Sequence, residues 1–170
     1  MTRLFSVMAL AVIVASAAVS AQMKHVELKD AKGASVGMAM ISPVKGGGVS
    51  IDLDVHGLPP GEHALHFHAA AKCEGPDFAS ATGHFNPMTK KHGMQNPEGP
   101  HAGDMNNFTV DAKGNAKATI TNANVTMGAE PNSIYANGGT ALMIHAAADD
   151  MKSDPAGNAG ARIACGTITK

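Results

Sequence analysis

Residues 49–55 read Val49-Ser50-Ile51-Asp52-Leu53-Asp54-Val55, apolar and polar in strict turn, which predicts a strand with one buried face. Phe108-Thr109-Val110 and the alternating run from Ala116 to Ile120 flank Lys113-Gly114-Asn115, and together they predict a hairpin. Further short strands are predicted at 24–30, 34–41, 62–68, 140–146 and 162–168, each bounded by Gly, Pro, Asn or Asp. No stretch has a long helical period. About eight strands with regular turns predict an all-β domain, an antiparallel sandwich or barrel.

Residues 69–103 and 147–160 break the pattern. The first is rich in Gly, Pro, Asn and Lys and is too long for an ordinary connection. Long ordered loops in a compact domain are usually functional. The first needs a fastening other than a core of its own, and a metal ion or a disulfide would serve.

The chain has 170 residues. Arg3 precedes a run of small apolar residues from Leu4 to Val19, and Val19-Ser20-Ala21 suits cleavage before Gln22. That predicts a secretory signal peptide over 1–21 and one exported, soluble domain over 22–170. A membrane anchor is the alternative, but the run is shorter than the ~20 apolar residues a span needs. A formal net charge of −1 speaks against nucleic acid as a partner, since phosphate recognition usually needs a basic surface. Cys73 and Cys165 are the two cysteines. In an oxidising compartment they are expected to pair, with free thiols or thiolate metal ligands as the alternatives.

Candidate chemistry comes from histidine. His63, His66, His68, His84, His92 and His101 crowd one stretch, Asp104 closes it, and His145 ends the apolar run Ala141-Leu142-Met143-Ile144. Imidazole binds copper and zinc well, and a carboxylate adds a hard ligand that suits zinc. His66 and His68 are two apart on a predicted strand, so both point to one face. His84, His92, His101 and Asp104 follow at loop spacings able to wrap a tetrahedral ion. Any one of these could be a hydrogen-bonded structural histidine. The set together reads as a metal site.

Gly61-Glu62-His63-Ala64-Leu65-His66-Phe67-His68, Gly83-His84-Phe85-Asn86-Pro87, Lys91-His92-Gly93, His101-Ala102-Gly103-Asp104 and the run from Gly157 to Gly166 resemble, in order, the copper/zinc superoxide dismutases. More narrowly, they resemble the exported bacterial branch. The resemblance implies an eight-stranded Greek-key fold with two long functional loops, a periplasmic location, and a monomer or homodimer. It implies a copper ion on His66, His68, His84 and His145, and a zinc ion on His84, His92, His101 and Asp104. His84 would bridge the two metals. Arg162 would sit beside the copper and hold the superoxide anion. Asp149 would link ligand histidines of both metals, with Asp150 less suited to that role. The Cys73–Cys165 disulfide would fasten the first loop to the last strand. The implied reaction converts superoxide to O2 and hydrogen peroxide by alternating Cu(II)/Cu(I) redox, with His84 taking and returning a proton.

Some positions depart from the family's pattern. Ala64 and Ala71 stand where Gly is frequent, Asn106 precedes Asn107 where Pro or Gly is commoner, and the second loop is short. Lys72, Lys90, Lys91 and Lys152 therefore stay unassigned as steering charges. His63 is read as structural, and His56 and His25 match no ligand position; His25 with Met23 offers at most a weak copper site. A metal store on the same scaffold, or a purely structural sandwich, would be expected to lack a ligand or Arg162, and the set is complete.

Overall fold

The computed structural model describes residues 23–170, so the expected signal peptide lies outside the described residues. Among the described residues nine strands form: β1 (Lys24–Asp30), β2 (Ser35–Pro43), β3 (Val49–Val55), β4 (Gly61–His63), β5 (Leu65–His68), β6 (Phe108–Val110), β7 (Ala116–Asn122), β8 (Thr140–His145) and β9 (Arg162–Ile168). Seven make one antiparallel, curled sheet in the order β5-β8-β9-β1-β2-β3-β7, and β4 pairs with β6. The chain crosses repeatedly between the two edges of this sheet, the Greek-key habit. Among the described residues no helix is long and apolar enough to cross a membrane.

The alternation in β3 is realised: Val49, Ile51, Leu53 and Val55 are buried, Asp52 and Asp54 exposed. They join Val26, Leu28, Ala39, Ile41, Phe67, Leu142 and Ile144 in the main core. Burying each large aliphatic side chain contributes about 1.5–3 kcal/mol. The turn predicted at 113–115 forms, with Asp111 Oδ1 accepting the N–H groups of Lys113 and Asn115 at 2.8 and 2.9 Å and Gly114 at φ +83. The predicted hairpin does not: β6 pairs with β4 and β7 with β3, so the turn joins strands of two sheets.

The predicted strand over 62–68 is two strands, which raises the expected eight to nine. Ala64 is the break. Its N–H donates to Ala147 O at 2.9 Å and its carbonyl accepts from His145 N–H at 3.0 Å, so it pairs with the β8 end and not with β6. β4 lies against β6 and β5 against β8, a corner at which the chain changes sheets. His63 fastens that corner: its ring nitrogens lie 2.7 Å from the carbonyl oxygens of His145 and Pro59. The structural reading of His63 fits this environment.

Cys73 and Cys165 are joined in a disulfide across 92 residues of sequence, which ties the first long loop to β9. Closing a loop of that size removes about 4–5 kcal/mol of chain entropy from the unfolded state. The first loop also has apolar anchorage that its composition did not suggest. Phe78 and Ala81 pack on Ala141, Met143 and Cys165 as a second buried cluster.

Candidate metal centre

In β5, Leu65 and Phe67 belong to the main core, so His66 and His68 face the other way. That outward face is buried as well, because the first loop folds back over it. His84 bridges to His68 and Asp104 to His66. The stitching runs through Phe67: its N–H donates to Gly103 O at 3.0 Å and its carbonyl accepts from Phe85 N–H at 2.8 Å. A Cβ on Gly103 would lie 2.4 Å from Phe67 O, so only glycine permits this approach. His145 arrives from the end of β8, where the β8–β9 register shifts after Ile144 and sets His145 opposite Arg162. Such a bulge re-aims a side chain.

Among the described residues two four-residue donor sets result, each with its atoms within 4.8 Å of one another, beside a smaller group of His66, His92 and Asp149. The first is His66, His68, His84 and His145; the second is His84, His92, His101 and Asp104. In the second, Asp104 Oδ1 is 3.0 Å from His84 Nδ1, 3.0 Å from His92 Nδ1 and 3.4 Å from His101 Nδ1. His84 Nδ1 and His101 Nδ1 are 3.4 Å apart. Four ligands around zinc at 2.0–2.1 Å would have tetrahedral edges of about 3.3 Å, so these spacings fit the ion. In the first set His68 Nε2 and His145 Nε2 are 3.3 Å apart. His66 Nδ1 and His84 Nε2, also in that set, are buried with no hydrogen-bond partner among the described residues. Orphaned imidazole nitrogens are costly unless something fills the space between them.

The opposite nitrogen of most of these rings is held. Asp149 Oδ2 accepts from His66 Nε2 at 2.8 Å and Oδ1 from His92 Nε2 at 3.0 Å. His68 Nδ1 donates to Thr82 O at 2.8 Å, and His145 Nδ1 lies 3.3 Å from Gly160 O. Asp104 is itself oriented by the N–H groups of Gly93 and His101, both 2.9 Å from Oδ2. These contacts fix the tautomers that aim the free nitrogens inward.

Burial dominates the electrostatics. It lowers the pKa of His66, and it pushes His68 down to about 2 and His84 and His145 down to about 4. These rings are neutral near pH 7, as ligands must be. Burial opposes charge on His92 too, but the hydrogen bonds and charges of Asp104 and Asp149 outweigh it and raise His92 to about 9. For Asp104 and Asp149 burial favours the neutral acid, yet hydrogen bonds from the histidines win and hold both well below the carboxylate range.

Arg162 donates from Nη1 to Phe78 O and from Nη2 to Thr82 O, both at 2.6 Å, so it shares the Thr82 carbonyl with His68. Asp150 takes no part in the donor sets; it caps the turn of the second loop through Lys152, Ser153 and Asn158. His25 and His56 are exposed and stand outside both sets.

Several residues that hold the centre carry no motif in the sequence. Asn107 grips the main chain of Asp149. Asn122 donates to Ala102 O and Asp104 O, and Asp154 accepts from His92 N–H. Asn122 left a signal: the β7 alternation puts it at an inward position, where a polar side chain needs partners. Gly157 leaves another, since a Cβ there would meet Asp149 Oδ1 at 1.9 Å.

A curled antiparallel β sheet whose outer face gathers two histidine-rich donor sets around one shared imidazole has the makings of a two-metal protein. The family model for copper/zinc superoxide dismutase (SODC) matches residues 35–168. Over 171 aligned residues the chain is 50% identical to superoxide dismutase 2 (Cu-Zn) of Aquifex aeolicus, covering 99% of each. A superoxide dismutase-like protein from Bacillus subtilis superposes at a TM-score of 0.82 with 37% identity, over 85% of this chain and 97% of that one. The Cu/Zn superoxide dismutase from Brucella abortus gives 0.71 with 28% identity, over 86% and 99%. The chain belongs to the copper/zinc superoxide dismutase family and is an oxidoreductase of that class.

Proposed function

We propose that the mature chain, exported to the periplasm after loss of residues 1–21, dismutates superoxide at a copper–zinc pair bridged by His84. Copper would be held by His66, His68, His84 and His145, and zinc by His84, His92, His101 and Asp104. The ring of His84 carries this reading. Its Nδ1 lies 3.0 Å from Asp104 Oδ1 in one donor set, while its Nε2 is a buried orphan in the other. The one ring would thus serve both donor sets.

Copper supplies the one-electron couple that dismutation requires, and zinc, without redox chemistry, supplies a fixed charge. The chain does the rest. Two superoxide anions and two protons yield O2 and hydrogen peroxide, so protons must be delivered where peroxide forms. His84 Nε2 is the atom suited to hold and release one, and solvent provides the other. Arg162 brings a permanent charge, and its two bonds to main-chain carbonyls fix the guanidinium plane while leaving further N–H donors for a small anion. Asp149 keeps the rings of His66 and His92 in register with each other.

Export is supported by the charged and apolar pattern of residues 1–21 and by the intramolecular disulfide, a link that persists in oxidising compartments. The test is metal analysis of the purified mature protein beside a superoxide-consumption assay before and after copper loading. One copper and one zinc per chain, with activity appearing on copper loading, is the expected result. Full loading without activity would overturn the catalytic reading and leave a metal store.

A further inference from the structure

We infer that Asp154, on the second loop, is a positioning residue for the zinc set. The inference rests on the zinc reading above and goes beyond it, because Asp154 belongs to neither donor set. Its Oδ1 accepts the main-chain N–H of His92 at 2.7 Å, across 62 residues of sequence. The same oxygen lies 4.0 Å from His101 Nε2, and Oδ2 is 3.6 Å from Lys91 Nζ. One carboxylate thus addresses two histidines of the set, one through its backbone and one through its ring.

The outer nitrogens define what is missing. His66 and His92 give theirs to Asp149, His68 to the Thr82 carbonyl, and His145 has the Gly160 carbonyl at 3.3 Å. His101 Nε2 has Asp154 Oδ1 at 4.0 Å, too long for a direct hydrogen bond. A shift of about 1 Å, or one bridging water, completes that contact. Metal-bound histidines nearly always donate their second N–H to such an outer group, which fixes the ring and raises its basicity. Asp154 supplies it for His101, and its grip on His92 N–H holds the turn Lys91-His92-Gly93 against the second loop. Neighbouring contacts brace the same seam: Gln95 N–H donates to Met151 O at 2.9 Å, and Asn96 reaches both His92 O and Lys152 O.

The experiment compares the metal-loaded wild type with Asp154→Ala and Asp154→Asn, transferring zinc to a chromophoric chelator. Asp154→Asn retains an oxygen for His92 N–H but loses the charge facing His101, so it also serves if the alanine variant folds poorly. Zinc affinity is expected to fall roughly 10–100-fold in Asp154→Ala and by a smaller factor in Asp154→Asn. The melting temperature of metal-free Asp154→Asn should match that of the wild type. In zinc-loaded protein the His101 ring N–H should exchange with solvent faster in both variants, which a merely structural role would not cause. Zinc affinity within twofold of wild type in both variants, or a loss mirrored by equal destabilisation of the metal-free protein, would overturn the inference. A wild type that takes no zinc at this set would instead overturn the zinc reading itself.

Discussion

Asn107 holds the main chain of Asp149 from both sides: its Nδ2 donates to Asp149 O at 3.0 Å, and its Oδ1 accepts Asp149 N–H at 2.9 Å. The residue that spans His66 and His92 is therefore itself fixed by the segment just after Asp104. Replacing Asn107 with Ala removes both bonds and leaves two partly buried backbone groups to find water, at a cost of about 1–3 kcal/mol. Asn107→Ala should melt earlier and lose both metals faster than wild type. Unchanged metal retention on dialysis against a chelator would show that Asp149 needs no such support.

His145 belongs to the first donor set alone. His145→Ala should bring superoxide consumption to background and weaken copper binding, with zinc content unchanged by metal analysis. Full activity in this variant would remove His145 from the copper site.

In the proposed mechanism Arg162 acts on the anion. Arg162→Ala should lower kcat/KM by about tenfold or more and flatten its dependence on ionic strength. Arg162→Lys keeps the charge but not the planar fork across Phe78 O and Thr82 O, so it should fall between the two. Metal content should stay at wild-type level in both. Stopped-flow measurement over a salt series checks this.

The metal-free chain should be most stable near pH 6.5. His68, His84 and His145 have folded pKa values below the unfolded 6.5, so acidification protonates the unfolded chain first. Stability then falls from pH 6.5 towards 4, by up to about 1.4 kcal/mol per pH unit for each ring. His92 is shifted the other way: its pairing contributes fully below 6.5 and is lost as pH rises through about 9. One ring governs the alkaline side and several the acid side, so the acid limb should be steeper. Melting temperatures of metal-free protein across pH 4–9 test the asymmetry, and a flat profile would contradict it.

Much of this molecule is legible in the chain, for reasons that differ by element. β3 is legible because one of its faces is core and the other is water, so its alternation is clean. β5 and β8 were legible from the turn residues that bound them and not from a clean alternation, because the first loop covers their outer face and all of their residues are buried. That is also why the corner at Ala64 left no mark, with apolar and histidine side chains continuing through it on both faces. The donor histidines stood out because a folded chain seldom places so many imidazoles in an apolar and Gly-rich setting unless they bind a metal. Asn107 and Asp154 did not. Each works by hydrogen bonds to main-chain groups distant in sequence, and a backbone partner has no residue type to read. The packing of Phe78 and Ala81 on the outside of β8 and β9 was equally silent, since two apolar residues in a long polar loop show no period.

In the proposed site two different metals share His84. Diffraction from crystals of the copper- and zinc-loaded protein, with anomalous maps at the absorption edge of each metal, would show this sharing. Expected are a copper peak among His66 Nδ1 and the Nε2 atoms of His68, His84 and His145, and a separate zinc peak among His84, His92, His101 and Asp104. A single shared peak, or copper density away from His84 Nε2 in the oxidised protein, would contradict it.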